Sequence, residues 1–374
     1  MFNKKKNLVF WFCAFLIISF FLTGCSLLPY GSIYVSSNPY GAQIYLNDTY
    51  TGHNTPSLIS NLSPGSYLLK LVLEDESVSR EETVIISQGQ KASIHLELTN
   101  LPDYRALCIG VGEYLDNGIR DLKAPAYDID RIKAVFENSN FGEENITFKD
   151  IKTLIDEQST RLNILNSIAM CFSEADNNDI SYFYFSGHGY SDGETSTILP
   201  HDALAASASK DISTDELAMA LAGIPGTKVV ILDSCHSGGF IGKTPFLREK
   251  INADKIKEFN MNTIKSFEIY DCSTSEEKNL ATDGFKVITS AAGDQECWET
   301  LYHPVDGNPF GYFSASLCEG CGYNNFVSPF PADYNTNHSI TLVEIYQYIK
   351  TSLSSLNQDT QVYPMDSSFV FIEY

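Results

Sequence analysis

Two segments of the chain hold side chains whose types suit nucleophilic chemistry. The first, "YFSGHG" at residues 184–189, sets His188 between Gly187 and Gly189 after an apolar run. The second, "VVILDSCHSGG" at residues 229–239, brings Cys235 to the end of another. A thiol attacks efficiently only as the thiolate, and an imidazole within hydrogen-bond reach is the base that produces one. The two glycines are expected to let the backbone turn sharply and leave the His188 ring open to a substrate. Each residue also has an ordinary reading, since a cysteine near a strand end is usually a buried small hydrophobe and a histidine between glycines a turn residue. Together, at two successive strand ends, they form a candidate catalytic dyad. Asp233 and Ser186 lie two positions before Cys235 and His188, and side chains two apart on an extended strand share a face. A carboxylate beside a thiol raises the thiol pKa by charge alone, so Asp233 serves the substrate or caps a local backbone group. His236 also tempts as a base, but its adjacency to Cys235 in sequence makes a productive side-chain contact awkward.

Such residues need a frame. From Tyr104 onward the apolar runs "ALCIGV", "IKTLI", "ISYFYF", "KVVIL", "FKVITS" and "SFVFI" read as buried strands. Helical stripes alternate with them: Ile129, Ile132, Val135 and Phe136; Leu162, Leu165, Ile168, Ala169 and Phe172, capped by Thr160; a third opening at Thr214-Asp215-Glu216; and a last, opening at Thr341, that carries Ile345, Ile349 and Leu353. This pattern predicts an α/β domain with a mostly parallel sheet of about six strands and helices on both faces. Functional residues in such a sheet belong outside the carboxyl ends of its strands, which is where His188 and Cys235 fall.

The 374 residues leave room for a second, smaller unit. Residues 31–99 alternate apolar and polar in short runs ("SIYVSS", "AQIYLND", "SYLLKLVLE", "EETVIIS", "SIHLEL") separated by turn residues, which predicts a small all-β, sandwich-like module. No catalytic constellation occurs there, and His53 and His95 read as surface or edge residues. Ahead of it, Lys4, Lys5 and Lys6 precede an apolar run from Leu8 to Leu22 that ends in Leu22-Thr23-Gly24-Cys25, the order of a secretory signal. The formal charge of −22 argues against nucleic acid and against charge-driven binding to anionic lipid. Of nine cysteines, Cys13 lies in the leader and Cys25 directly after it, and the odd number left flags a thiol kept free. Cys318 and Cys321 are spaced C-x-x-C with no second pair, which favours a local disulfide or plain burial over zinc.

Residues 104–374 resemble the caspase-like cysteine peptidases, and among them the metacaspase-like members of bacteria. The resemblance rests on "ALCIGVGEY", "LKAPAYDIDRI", "YFSGHG", "LPHDA", "VVILDSCHSGG", "KVITSAAGDQECWE", "FGYFSASL" and "TLVEIYQYI". It implies that Cys235 is the nucleophile and His188 the general acid/base, with the N–H groups of Gly189 and Cys235 as oxyanion hole. The interval of 47 positions from His188 to Cys235 agrees with the family's usual interval of about 50. It also implies that Asp233, Ser186 and Asp128 of the "YDID" segment line an acidic specificity pocket, hence cleavage after Arg or Lys in protein or peptide substrates. The β module is similar to the PEGA domain, a surface-associated unit that acts as a spacer or binds a cell-surface partner. The leader resembles a bacterial lipoprotein signal, implying removal of residues 1–24, lipid attachment at Cys25, a tether over 25–30 and an extracytoplasmic, membrane-anchored protein; an uncleaved anchor helix is the alternative.

Residues 241–284 interrupt the α/β pattern with no clear strand and contain Lys243, Arg248, Lys250, Lys255, Lys257 and Lys265. They correspond to the linker that caspase-like enzymes often cut. Some metacaspases need calcium, and Asp192 and Asp202 lie near the dyad in sequence, but without an EF-hand-like ladder of ligands no metal or other cofactor is assigned. Two alternatives to peptide hydrolysis remain at this point: an inactive caspase-like scaffold on the cell surface, and acyl transfer by the same thiol to an amine.

Overall fold

Alternating burial along Gly31–Asn38, with Ile33 and Val35 inward, is what a strand with one solvated face requires. The computed structural model describes residues 30–73, 79–98, 101–142, 144–192, 194–236, 253–271, 284–292, 299–323, 326–356 and 358–374. The leader, Cys25 and most of the 241–284 segment lie outside the described residues. Among those residues no helix is long and apolar enough to cross a membrane.

The chain divides into two compact units, at Leu101 and Pro102. The first contains β1 (Gly31–Asn38), β2 (Gln43–Leu46), β3 (Thr49–Asn54), β4 (Ser57–Leu62), β5 (Gly65–Val72), β6 (Ser79–Ile86) and β7 (Lys91–Glu97). One sheet has the order β4-β1-β7 and the other β3-β2-β5-β6, with Ile33, Val35, Ile44, Leu69, Leu71 and Ile86 in the core between them. Strands β3 and β4 escape the sequence pattern because most of their residues are exposed. His95 is exposed and sits between Ser36 Oγ at 2.9 Å and Glu97 Oε1 at 3.1 Å.

The second unit runs β8 (Tyr104–Gly110), α1 (Pro125–Glu137), β9 (Phe148–Ile155), α2 (Arg161–Cys171), β10 (Ile180–Ser191), β11 (Ser196–Ile198), β12 (Ile212–Ser213), α3 (Thr214–Ala222), β13 (Thr227–His236), α4 (Ala253–Tyr270), β14 (Gly284–Ala292), β15 (Glu299–Thr300), β16 (Phe310–Gly311), α5 (Tyr312–Gly320), β17 (Ser339–Thr341), α6 (Leu342–Ser352), β18 (Gln358–Tyr363) and β19 (Val370–Glu373). The main sheet has the order β9-β8-β10-β13-β14-β18, parallel except for the antiparallel edge strand β18. Past the end of β8, the last residues of β10 take β11, and then β12, as antiparallel neighbours. Tyr182, Tyr184, Val229 and Ile231 face α1, α5 and α6, whereas Phe183, Phe185, Val230 and Leu232 face α2, α3 and α4. Both faces are covered, as continuous apolar strands demand.

Four expectations need correction. The "SFVFI" run supplies β19, which pairs with β17 in a separate small sheet, and the sixth main strand is the polar "QDTQVY". An antiparallel edge strand needs few apolar residues, so β18 carries little sequence signal. Of the stripe expected on α2, Ile168, Leu165 and the following Phe172 do pack into the core, but Leu162 and Ala169 are exposed and Ile164 and Ser167 are buried, because the docked face is rotated toward Ile164. The segment read as a linker contains the 18-residue helix α4. Its buried face mixes Phe259 and Phe267 with Asn260, Thr263 and Ser266, which hides its amphipathic period. Finally, β10 and β13 do not end before His188 and Cys235; both strands run through them.

Candidate active site

Strands β10 and β13 pair in parallel without a register break, so that Ser186 stands opposite Asp233, Gly187 opposite Ser234, and His188 opposite Cys235. Hydrogen-bonded neighbouring strands lie about 4.8 Å apart, which brings the two candidate residues to adjacent positions at the sheet's carboxyl end. The sharp turn expected at the glycines does not occur, and the His188 ring is buried with 0 % exposure. The glycines are needed for close packing. A Cβ at Gly189 would fall 2.9 Å from both Phe259 Cε2 and Ser234 Cβ, and one at Gly187 would fall 2.9 Å from Phe185 Cζ. Gly189 is also the residue where β10 takes up β11.

His188 is held from two sides. Its Nε2 lies 2.7 Å from the Arg120 carbonyl oxygen. A carbonyl only accepts, so Nε2 carries the proton and the neutral ring has an unprotonated Nδ1, the form a general base needs. The backbone N–H of His188 donates to Tyr114 Oη at 2.9 Å, and the Tyr114 ring stacks on the imidazole with centroids 5.0 Å apart. Neither Tyr114 nor the Arg120 carbonyl is evident from residue types. Tyr114 stands in the quoted "GEY" segment, but only the fold brings it to His188.

Asp128, Ser186 and Asp233 do come together, in a buried cluster. Asp128 on α1 is 0 % exposed and Asp233 3 %. Ser186 Oγ donates to Asp128 Oδ2 at 3.1 Å, and the Gly311 N–H points at both Asp128 oxygens, 3.2 and 3.3 Å away. Ser314 gives Asp233 Oδ2 its N–H at 3.3 Å and its hydroxyl at 2.5 Å. Arg131, one turn along α1, reaches Asp128 Oδ1 at 3.2 Å through Nη1 and grips Asp306 with Nε and Nη2, both at 2.9 Å. Burial and then the Asp233 charge push the Asp128 carboxyl well above the usual carboxylate range, against the opposing pull of Arg131, Gly311 and Ser186. The cluster thus has the two acids Asp128 and Asp233, the Arg131 guanidinium shared with a third carboxylate, Asp306, and the start of α5. Gly311, Ser314 and Arg131 had no role in the sequence reading, although "FGYFSASL" and "YDIDRI" include them.

The remaining sequence candidates are placed as follows. Cys25 lies outside the described residues. Asp192 Oδ1 accepts the N–H groups of Glu194 and Thr195 in a tight turn, while Asp202 accepts the Arg161 N–H and meets Lys210 at 3.3 Å. Cys318 and Cys321 are buried free thiols, and burial raises the pKa of each.

The caspase-domain family model matches residues 103–369. The chain belongs to the caspase-domain family. A PEGA domain precedes that region, with residues 30–102 matched. Among curated proteins, Metacaspase-1 of Ajellomyces capsulatus is 30 % identical over 149 residues, 36 % of this chain and 40 % of its own length. Metacaspase-1A of Aspergillus niger is 30 % identical over 173 residues, 42 % of this chain and 41 % of its own. The chain therefore spans about two fifths of the length of these relatives. Among solved structures, a Geobacter sulfurreducens protein is 18 % identical with a TM-score of 0.42, covering 70 % of this chain and 93 % of that one. The structure of pro-sf-caspase-1 is 11 % identical with a TM-score of 0.40, covering 73 % of this chain and 96 % of its own. Both scores are low, and the strand order itself defines the fold. The caspase-domain family is one of cysteine peptidases.

Proposed function

We propose that this protein is a lipid-anchored, extracytoplasmic cysteine endopeptidase that cleaves after arginine or lysine, with Cys235 and His188 as its dyad. The observation that carries the reading is the in-register pairing of His188 with Cys235, combined with the Arg120 carbonyl that keeps the neutral imidazole in its basic tautomer. In this reading His188 Nδ1 takes the thiol proton as the Cys235 sulfur adds to the scissile carbonyl. The N–H groups of Gly189 and Cys235 receive the developing oxyanion. The tetrahedral adduct collapses to a thioester as His188 gives the proton to the leaving amine, and water then releases the acid by the same route in reverse.

The Asp128, Ser186 and Asp233 cluster supports preference for a cationic side chain. The cluster sets three carboxyl groups, those of Asp128, Asp233 and Asp306, about the guanidinium of Arg131, and an arginine can meet a carboxylate through two parallel N–H bonds. Aspartate at the same place would add a like charge and be rejected. An inactive scaffold is the second reading, favoured by the burial of His188 and of both acids. A fluorogenic panel differing only in the residue before the scissile bond separates the two. The account expects turnover of arginine and lysine peptides, and turnover of none, after thiol reduction and with calcium added, supports the scaffold.

The membrane placement rests on Leu22-Thr23-Gly24-Cys25 after the apolar run. Mass spectrometry of the mature protein should find an acylated cysteine at its amino terminus. An unmodified terminus at another position overturns the anchor while leaving the peptidase reading intact.

A further inference from the structure

We propose that Ser314, near the start of α5, is a specificity-determining positioning residue that fixes the plane of the Asp233 carboxylate for a substrate guanidinium. The inference rests on the reading of Asp128, Ser186 and Asp233 as the specificity site. Ser314 is fully buried between two polar partners, with Asp233 Oδ2 2.5 Å from its Oγ on one side and Tyr184 Oη 2.5 Å away on the other. A hydroxyl has one proton to give, and an ionised carboxylate can only accept. Ser314 therefore donates to Asp233 and accepts from Tyr184. Burial, followed by the charges of Asp128 and Asp233, holds the Tyr184 phenol well above its ordinary range, so it stays protonated and the chain Tyr184 to Ser314 to Asp233 keeps one direction.

The Ser314 N–H bonds the same Asp233 oxygen at 3.3 Å. Two donors from one residue on Oδ2 stop the carboxylate from rotating about its Cβ–Cγ bond. That restraint matters unequally for the two basic side chains. Arginine binds a carboxylate through a planar fork, which needs the acceptor plane in a set orientation, whereas lysine brings a point charge that tolerates rotation. Ser314 should accordingly govern the preference for arginine over lysine more than the rate of the chemical step.

Gly311 belongs to the same corner. A Cβ there would stand 2.9 Å from Asp233 Oδ2 and 3.0 Å from Asp128 Oδ2, so only glycine lets the β16–α5 junction approach both acids at once. The junction is the "FGYFSASL" motif. Its glycine and its first serine are the residues in contact with the acid pair.

The test compares wild type, Ser314→Ala, Ser314→Thr and Tyr184→Phe on matched peptides ending in arginine or lysine, with Cys235 alkylation by iodoacetamide measured alongside. Ser314→Ala should lower the arginine-to-lysine ratio of kcat/KM by about tenfold, the scale of one hydrogen bond to a charged group. The loss should fall on KM for arginine, with alkylation as in wild type, and Ser314→Thr should restore the ratio. Tyr184→Phe keeps the ring and should shift the ratio in the same direction by a smaller factor, so the proposal stays testable should Ser314→Ala fail to fold. An unchanged ratio in the folded variants, or equal losses of kcat on both substrates, overturns the assignment. A wild type that cuts after neither residue overturns the specificity reading itself, and is told apart by needing no variant.

Discussion

His188 and Cys235 are register partners on adjacent parallel strands, and the same register pairs Ser186 with Asp233 two residues earlier. One strand pair thus carries both candidate dyad residues together with Ser186 and Asp233, at a spacing set by the sheet itself. Groups that act as a unit lose activity together. Cys235→Ala and His188→Ala should each lower kcat by on the order of a thousandfold or more, and the double variant should be no worse than either single. Additive losses would mean that the two residues act in separate steps.

Tyr114 should matter through a single atom. Tyr114→Phe keeps the ring that stacks on His188 but leaves a buried backbone N–H without its acceptor, at a cost of about 1–3 kcal/mol. Urea unfolding should show that loss, and kcat/KM should fall while reaction of Cys235 with a small alkylating agent changes little. A Tyr114→Phe protein as stable as wild type contradicts the role given to the phenol.

Asp128 predicts a pH effect with a definite sign. Its folded-state pKa is raised above the ordinary value of 3.8, burial being the main cause and Asp233 the next. At pH below that value the carboxyl is protonated in both states and exerts no differential effect. As the pH rises, the unfolded chain ionises first, so the stability that goes with this group declines until the folded carboxyl titrates as well. Asp128→Asn should therefore gain on wild type as the pH rises above about 4. Urea midpoints measured across that range check this, and a difference independent of pH contradicts it.

Self-cleavage, where it occurs, should spare helix α4. Lys255, Lys257 and Lys265 lie on α4, and a peptidase takes its substrate extended. Cleavage is expected after Lys243, Arg248 or Lys250, in wild type and not in Cys235→Ala. Intact masses of the two proteins after incubation decide the point, and the same fragments from both would assign the cutting to another protease.

Much of this was legible in residue order. Continuous apolar runs named β8, β10, β13 and β14, and caps such as Thr160 and Thr341 marked helix starts. Strand β18 and helix α4 were not legible, since an edge strand can be polar and a buried helix face can hold Asn260 and Thr263 when the fold supplies their partners. Nothing local marks Asn260 as a core residue, because its Oδ1 accepts the Thr289 hydroxyl at 3.0 Å only once α4 meets β14. At the candidate site, His188 and Cys235, and with them Ser186, Asp233 and Asp128, could be named from local pattern and family resemblance. Tyr114, the Arg120 carbonyl, Arg131 and Ser314 could not, because each acts through a contact between segments far apart in the chain. The glycines beside His188 were found for the wrong reason: they permit close approach by Phe259 and Ser234, not a turn.

The most direct test of the central claim is covalent. A peptide ending in arginine and bearing a thiol-reactive ketone should add once to the protein, and peptide mapping should find the adduct on Cys235. His188→Ala should slow the labelling strongly, and excess arginine substrate should protect against it. Labelling that falls on another cysteine, or that proceeds on Cys235 equally fast with an aspartate-ended probe, contradicts the account.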